Sequence, residues 1–394
     1  MTHRIVVLGA GYAGTNTAGN LARRLHPDDF EITVVNADPH FVERIRLHQV
    51  AVGRDYRPRA LADAFAGTGV RLRVARVTAL DPERRSVTVA DEECEEEIGY
   101  DTLVYALGSA VASDGVPGVA EYAHDIAGRP SALRLQQRLQ ELGDGAKVLV
   151  VGGGLTGLEA ATEIAETRPD LAVTLASRTA PGDWLSTKAK EHLRRRLDHL
   201  GIAVHEHTVI ARVEPTRAVA EDGTIFPADV TVWAAGFTVP TIAAAAGVQV
   251  SDTGRIVTDG SLRSVSHPEI YAVGDSVHVI GANGQPLPMS CASAGFSSMQ
   301  AVAALEGRLT GRRFDVEPLK YLGNCIGLGE RDAIFQTVGA DLRPKVAFTG
   351  RKTARFKAFV LWGAAWNVLR AGGGMPKRKR RLSPDAPLPE RVAA

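Results

Sequence analysis

Two short runs in this sequence have the residue types and spacing to hold a charged ligand. Gly9-Ala-Gly-Tyr-Ala-Gly14 and Gly152-Gly-Gly-Leu-Thr-Gly157 both read Gly-x-Gly-x-x-Gly. In such a run the first glycine turns the chain sharply, and the second lets the main chain approach a pyrophosphate. The third allows a helix to pack closely on a strand. The phosphates then meet the free N–H groups and positive dipole of the helix start. One such run is weak evidence; two in matching surroundings are strong.

The surroundings do match. The first run follows the apolar strand Arg4-Ile-Val-Val-Leu8 and opens a helical stretch to about Leu25, with a second strand at Ile32–Asn36. Strand-rich segments at Val70–Val77 and Ser86–Val89 come next, and Asp101–Gly108 closes the copy. The second run follows Lys147–Val151 and opens an Ala/Glu-rich helix, with Ala172–Ala176, Ile202–His205, Ala211–Val213 and Asp229–Gly236 in the corresponding places. An internal duplication of an α/β unit is the economical reading. Beyond it lie Arg255–Asp259, a strand ending in Gly274-Asp275, and an Ala/Ser-rich helix to about Leu305. Two more strand-like segments, Cys325–Leu328 and Ala333–Val338, precede a helix near Ala354–Leu369.

The end of each second strand decides which ribose is read, and an acid usually stands there about 20 residues beyond the glycines. In the first copy Asn36 takes that place, where its amide can bond a hydroxyl, with Asp38 nearby. In the second copy the strand ends Ala176-Ser-Arg178 without an acid. Arginine accommodates the 2′-phosphate of NADPH, so NADPH is favoured over NADH; the alternative is that Arg178 is only a solvated charge.

Composition narrows the field. The chain has 394 residues, 45% of them apolar, and a formal net charge of +1, which gives no global field for nucleic acid. Ten Lys/Arg without an acid fall between Arg351 and Arg381. Three scattered cysteines suit neither a disulfide framework nor a structural metal site. No signal-like start and no apolar run of about 18 residues is present, so the expected compartment is the cytoplasm.

Taken together, the paired glycine runs, Tyr105-Ala-Leu-Gly-Ser109, Trp233-Ala-Ala-Gly-Phe237 and Ile270-Tyr-Ala-Val-Gly-Asp275 resemble the two-dinucleotide-binding-domain flavoproteins of the pyridine nucleotide-disulfide oxidoreductase superfamily. Over about residues 4 to 370 the chain is most similar to their type II NADH:quinone oxidoreductase-like branch. The resemblance implies an α/β fold of two Rossmann-like three-layer domains and a small C-terminal α+β region. FAD would be held by residues 1–115 with 239–312, NAD(P)H by 116–238, with a C-terminal region over 313–372 and a disordered basic tail over 373–394. It implies FAD contacts at Gly9, Ala10, Gly11, Gly14, Asn36, Arg44, Val77, Gly108, Gly274, Asp275, Cys291 and Ala292. Gly152, Gly154, Leu155, Thr156, Gly157, Ser177, Arg178, Ala235 and Gly236 would hold NAD(P)H. The Met289–Ser293 turn falls where the family brings a helix start against the flavin.

One absence matters. Disulfide reductases of the superfamily pass electrons through a cysteine pair beside the flavin. The matching stretch here, His40-Phe-Val-Glu-Arg-Ile-Arg-Leu-His48, has none. Arg44, Arg46 and His48 either line the flavin edge or face solvent. Cys291 and Cys325 either meet near the flavin or are plain buried thiols, and Cys94, among acids, is inert. The implied activity is hydride transfer from NAD(P)H to FAD, then electron transfer to a quinone-like acceptor. A soluble biosynthetic or electron-transfer oxidoreductase and a flavin-bearing sensor are the alternatives. Phe356, Phe359, Val360, Gly363, Trp366 and Leu369 fall at helical spacing among basic residues. Residues 351–381 thus suit either a peripheral contact with the inner face of the cell membrane or packing on the protein, including a homodimer partner.

Overall fold

In the computed structural model, which describes residues 2–113, 115–371 and 376–383, both copies form as parallel sheets. His3–Leu8 is buried over its last four residues, and a strand apolar on both faces belongs in the middle of a covered parallel sheet. There it lies, with Thr102–Tyr105 on one side and Phe30–Asn36 on the other. The sheet order is Ile270–Ala272, Thr102–Tyr105, His3–Leu8, Phe30–Asn36, Arg71–Val74. The second sheet repeats it with Ala123–His124, Val230–Trp233, Lys147–Val151, Ala172–Ala176 and Ala203–His205. Each copy adds a three-stranded antiparallel sheet, one over Arg76–Gly99 and one over Ile210–Pro227.

The first sheet needs late pieces of chain. Its edge strand Ile270–Ala272 comes after the whole second copy, as does the helix Cys291–Leu309 that packs on Tyr12–Arg24. That packing is held by a buried hydrogen bond from Asn16 Nδ2 to Ser298 Oγ at 2.7 Å and a buried Arg24–Glu306 ion pair at 2.8 Å. The chain passes between copies twice, and the two crossings pair with each other: Ala110–Val111 runs antiparallel to Phe237–Thr238. Trp233 Nε1 donates to Ala112 O at 3.0 Å across the same ribbon.

The C-terminal region is an antiparallel sheet, Gly323–Gly327, Ala333–Val338 and Pro344–Thr349, backed by the helix Arg351–Leu369. The third strand and the first turn of the helix are additions to what the sequence suggested. This region touches both copies. Fully buried Gln336 accepts the Ser186 N–H at 2.7 Å, and His192 and Asp332 are 2.8 Å apart. On the other side Asn367 Nδ2 donates to Asn16 Oδ1 at 3.1 Å.

The disorder expected over 373–394 does not hold for residues 376–383. Arg380 pairs with Leu25 in a parallel bridge and Ser383 N donates to Leu309 O at 3.0 Å. Arg378 and Arg380 join Arg24 around the buried Glu306 carboxylate, and Arg381 meets Asp28 and Asp29. Complementary charge gives this basic segment a docking place that composition alone does not reveal. Residues 372–375 and 384–394 lie outside the described residues.

Candidate active site

The glycine loops carry their purpose in their geometry. A Cβ on Gly9, whose φ is +95°, would sit 2.3 Å from Ala106 O, and one on Gly14 would sit 1.9 Å from Gly9 O. Those two glycines are demanded by the protein's own packing. Gly11 is different: it is exposed, has an ordinary φ of −73°, and a Cβ there would meet nothing within 4 Å. The second loop repeats the pattern, with Gly152 and Gly157 crowded at 2.6 and 1.8 Å and Gly154 open. Both middle glycines are the N-caps of 13-residue helices and supply no side-chain cap, so the first N–H groups are left for a ligand. Two open cradles of main-chain N–H groups fit the pyrophosphates of two dinucleotides.

Beside the first loop, Gly274 takes φ +74° and lies against the loop helix, where a Cβ would be 3.0 Å from Ala13 Cβ. This brings Asp275 over the loop. Ser109 Oγ donates to Asp275 Oδ2 at 2.6 Å, and Arg44 Nη1 donates to Ser109 O at 2.8 Å and lies 3.8 Å from Asp275 Oδ2. Gly108 adjoins the same guanidinium, and the Gly274 N–H reaches Ser297 Oγ at 3.0 Å. Arg44, Gly108, Gly274 and Asp275 are therefore one cluster, with Ser109 as the member that sequence reading left out. Val77 lies in the adjoining antiparallel sheet, opposite Val89.

Asn36, Arg46 and His48 are each held by partners within the protein. Both ends of the Asn36 amide are engaged: Oδ1 accepts the Ala10 N–H at 2.8 Å and Nδ2 donates to Asp38 O at 2.7 Å, so this side chain ties the glycine loop to the strand end. Arg46 does not join Arg44. It bonds Glu43 at 2.9 Å and Tyr56 at 3.1 Å and covers the Tyr56 ring. His48 is buried, with Nδ1 3.7 Å from Glu159 Oε2. The reason is local: Arg44–Arg46 is a 3-10 turn and Leu47–Val50 an α turn, which aim neighbouring side chains apart.

His48 leads to a second cluster. Glu159, on the helix of the second glycine loop, accepts the Gly327 N–H at 2.9 Å and the Lys357 ammonium. Burial alone would raise the Glu159 carboxyl, but Lys357, His48 and the Gly327 N–H outweigh it and the net shift is downward. Burial lowers His48 to about 4, so its imidazole is neutral at neutral pH. One turn further along the helix Glu163 is 1% exposed and meets Arg54 at 2.8 Å; burial pushes it up to about 7. These charges join residues up to 198 positions apart and were invisible as spacing.

Cys325 shares a strand face with Gly327, two residues on, and so adjoins this cluster. Cys291 and Ala292 open the long helix that Ser290 caps, its Oγ accepting the Ser293 N–H at 3.1 Å. Both cysteines are free, Cys291 exposed and Cys325 half-buried, and loss of surrounding water is the main reason both thiols are pushed up, Cys325 to about 11. Neither is a ready thiolate. Cys94 lies on an exposed hairpin turn beside Arg73.

At the second strand end Ser177 is buried, its Oγ close against Gly153, and Arg178 is exposed with no hydrogen bond or ion pair among the described residues. Leu155, Thr156 and Gly157 form the first turn above the open Gly154. Ala235 and Gly236, the latter at φ +92°, end the strand facing them.

Two dinucleotide cradles joined by a crossing ribbon define a two-domain nucleotide-linked oxidoreductase. Residues 3–302 match the pyridine nucleotide-disulphide oxidoreductase family, and the chain belongs to it. Flavin and nicotinamide nucleotide are the ligands that this membership implies. Within the family it sides with the NADH dehydrogenase-like members. It is 31% identical over 293 residues to an NADH dehydrogenase-like protein of Mycobacterium tuberculosis, covering 69% of this chain and 72% of that one. It is 26% identical to the demethylphylloquinone reductase of Synechocystis sp., covering 91% and 93%. The sulfide:quinone oxidoreductase of Aquifex aeolicus shares the fold, with a TM-score of 0.80 at 20% identity over 94% of this chain and 92% of that one.

Proposed function

We propose that the chain is an FAD-dependent NAD(P)H oxidoreductase that hands electrons to a quinone-like acceptor. The carrying observation is the pairing of two open phosphate cradles with a buried Glu159–Lys357 pair, in a chain whose His40–His48 stretch has no cysteine. Residues 1–115 with 239–312 hold FAD in this reading, and 116–238 hold the nicotinamide. The flavin supplies hydride acceptance and onward electron transfer, which no side chain can provide. The chain's own residues position and exclude. Gly9, Gly11 and Gly14 admit the pyrophosphate, Asp275 with Ser109 offers acceptors to hydroxyls, and Arg44 supplies positive charge at that site. Glu159 and Lys357 form the buried charge pair that holds a proton for an acceptor that gains charge. Quinone chemistry needs such a proton, and the likeness to a demethylphylloquinone reductase supports the reading.

NADPH is the preferred donor in this reading, because the Ala176-Ser177-Arg178 strand end offers an exposed guanidinium, unpaired among the described residues, and no carboxylate. The outward face of the last helix, with Phe356, Phe359, Val360 and Trp362 exposed between basic residues, rests on a membrane surface. Among the described residues no helix is long and apolar enough to cross one.

The decisive experiment is anaerobic mixing of the purified protein with NADPH or NADH, followed by an acceptor panel led by short-chain quinones. Bleaching of bound flavin, faster with NADPH, and reoxidation by quinone are expected. A colourless protein rejects the whole reading; bleaching without quinone turnover rejects the acceptor.

A further inference from the structure

The helix Leu155–Thr167 carries three carboxylates at i, i+4 and i+7: Glu159, Glu163 and Glu166. That spacing lines one helix face. Their surroundings differ. Glu159, at the inner end, is held by Lys357 of the C-terminal helix, by the Gly327 N–H, and by His48. Glu166, at the outer end, is held by Arg196 of Thr187–His199 and by the Glu330 N–H. Glu163, between them and nearly fully buried, meets the Arg54 guanidinium, whose Nη2 lies 2.8 Å from its Oε1, and among the described residues its carboxylate has no other ion pair or hydrogen bond. Arg54 is 30% exposed and also lies 3.8 Å from the exposed Glu330. A buried carboxylate with one half-exposed cation against a single oxygen and no further donor is poorly held as an anion. The groups facing it are Arg54, Glu159, Glu166, Lys357 and Glu330, and burial with the two neighbouring carboxylates outweighs the cations.

We propose that Glu163 is the relay by which protons from solvent, admitted at the Arg54–Glu330 mouth, reach Glu159 during acceptor reduction. This rests on the quinone reading above. The balance requires such a route. NAD(P)H gives up two electrons and one proton as hydride, whereas a quinone becoming a quinol gains two electrons and two protons. One proton per turnover therefore comes from water. Once the Glu159–Lys357 pair has given its proton to the acceptor, protonated Glu163 passes one inward across a helical turn to that pair, and Glu163 is refilled from solvent beside Arg54. Glu163 touches neither substrate nor cofactor, so it acts through Glu159.

The test compares two acceptors on the flavin-loaded enzyme. Ferricyanide takes electrons without protons; a short-chain quinone needs them. Glu163→Gln is expected to lower quinone turnover by about tenfold or more, with bleaching by NADPH and ferricyanide turnover unchanged. The inflection near pH 7 in quinone turnover should vanish. Arg54→Gln provides the second variant: with the opposing cation gone, that inflection should move to higher pH. Equal loss with both acceptors, or a quinone profile untouched by either substitution, overturns the relay. If the parent enzyme turns over ferricyanide but no quinone, the functional reading falls and takes the relay with it; a parent active on quinone with an unchanged Glu163→Gln variant sinks the relay alone.

Discussion

Gly11 and Gly14 are three residues apart and glycine for opposite reasons. Gly14 is closed in by Gly9 O, so Gly14→Ala should fail to fold cleanly or lose several degrees of melting temperature. Gly11→Ala has room within the protein and an unstrained backbone. It should melt close to the parent yet purify with much less flavin, read as the ratio of visible to ultraviolet absorbance. Gly154→Ala should keep its flavin and show a raised KM for the nicotinamide. If Gly11→Ala retained full flavin, the open cradle would not be the pyrophosphate site. Glu163 gives a prediction of another kind. Its value of about 7 in the folded chain exceeds the ordinary 4.5, so the folded chain keeps a proton that the unfolded chain sheds. The stability it contributes is complete below 4.5 and drains away as pH rises toward 7. Glu163→Gln has no such loss, so thermal scans between pH 5 and 8 should show its melting temperature gaining on the parent's as pH rises. A gap independent of pH would mean the carboxyl ionises normally.

At the scale of elements, what could be read from sequence was whatever is local. A glycine loop flanked by a buried strand and a helix start announces itself within twenty residues, and so both cradles and the Gly274-Asp275 turn were legible. Arg46 and His48 were not, because their directions depend on a change from 3-10 to α turn within seven residues. Glu159 and Lys357 were not, because each is an unremarkable charge on its own helix until folding brings those helices together. The last helix shows how one segment serves two purposes. Thr353, Lys357, Leu361, Ala365 and Val368 form its buried face, while Phe359 and Trp362 stack outward at 6.0 Å. Replacing Phe359 and Trp362 by Ser should leave flavin and nicotinamide kinetics intact. It should abolish flotation with anionic vesicles, an attraction that added salt should also weaken in the parent. Size-exclusion chromatography of the same pair reports the competing outcome: a dimer that falls apart on substitution would assign this face to a second copy.

At the scale of the whole molecule, the C-terminal sheet reaches the second copy through Gln336 and Asp332, and its helix reaches the first through Asn367. The crossing ribbon links the same two bodies a second time. The two copies are thus tied together both through the C-terminal region and through the ribbon. The discontinuity of the first sheet has a temporal consequence. The second copy is continuous in the chain and its parallel sheet closes by Trp233, whereas the first copy is missing an edge strand until Ala272 and its covering helix until Leu309. At roughly 5–20 residues per second of synthesis, a half-made sheet waits on the order of 10–40 s for its completion. For the last part of that interval, from Trp233 to Leu309, the second glycine-loop sheet is finished while the first still lacks its edge strand and covering helix.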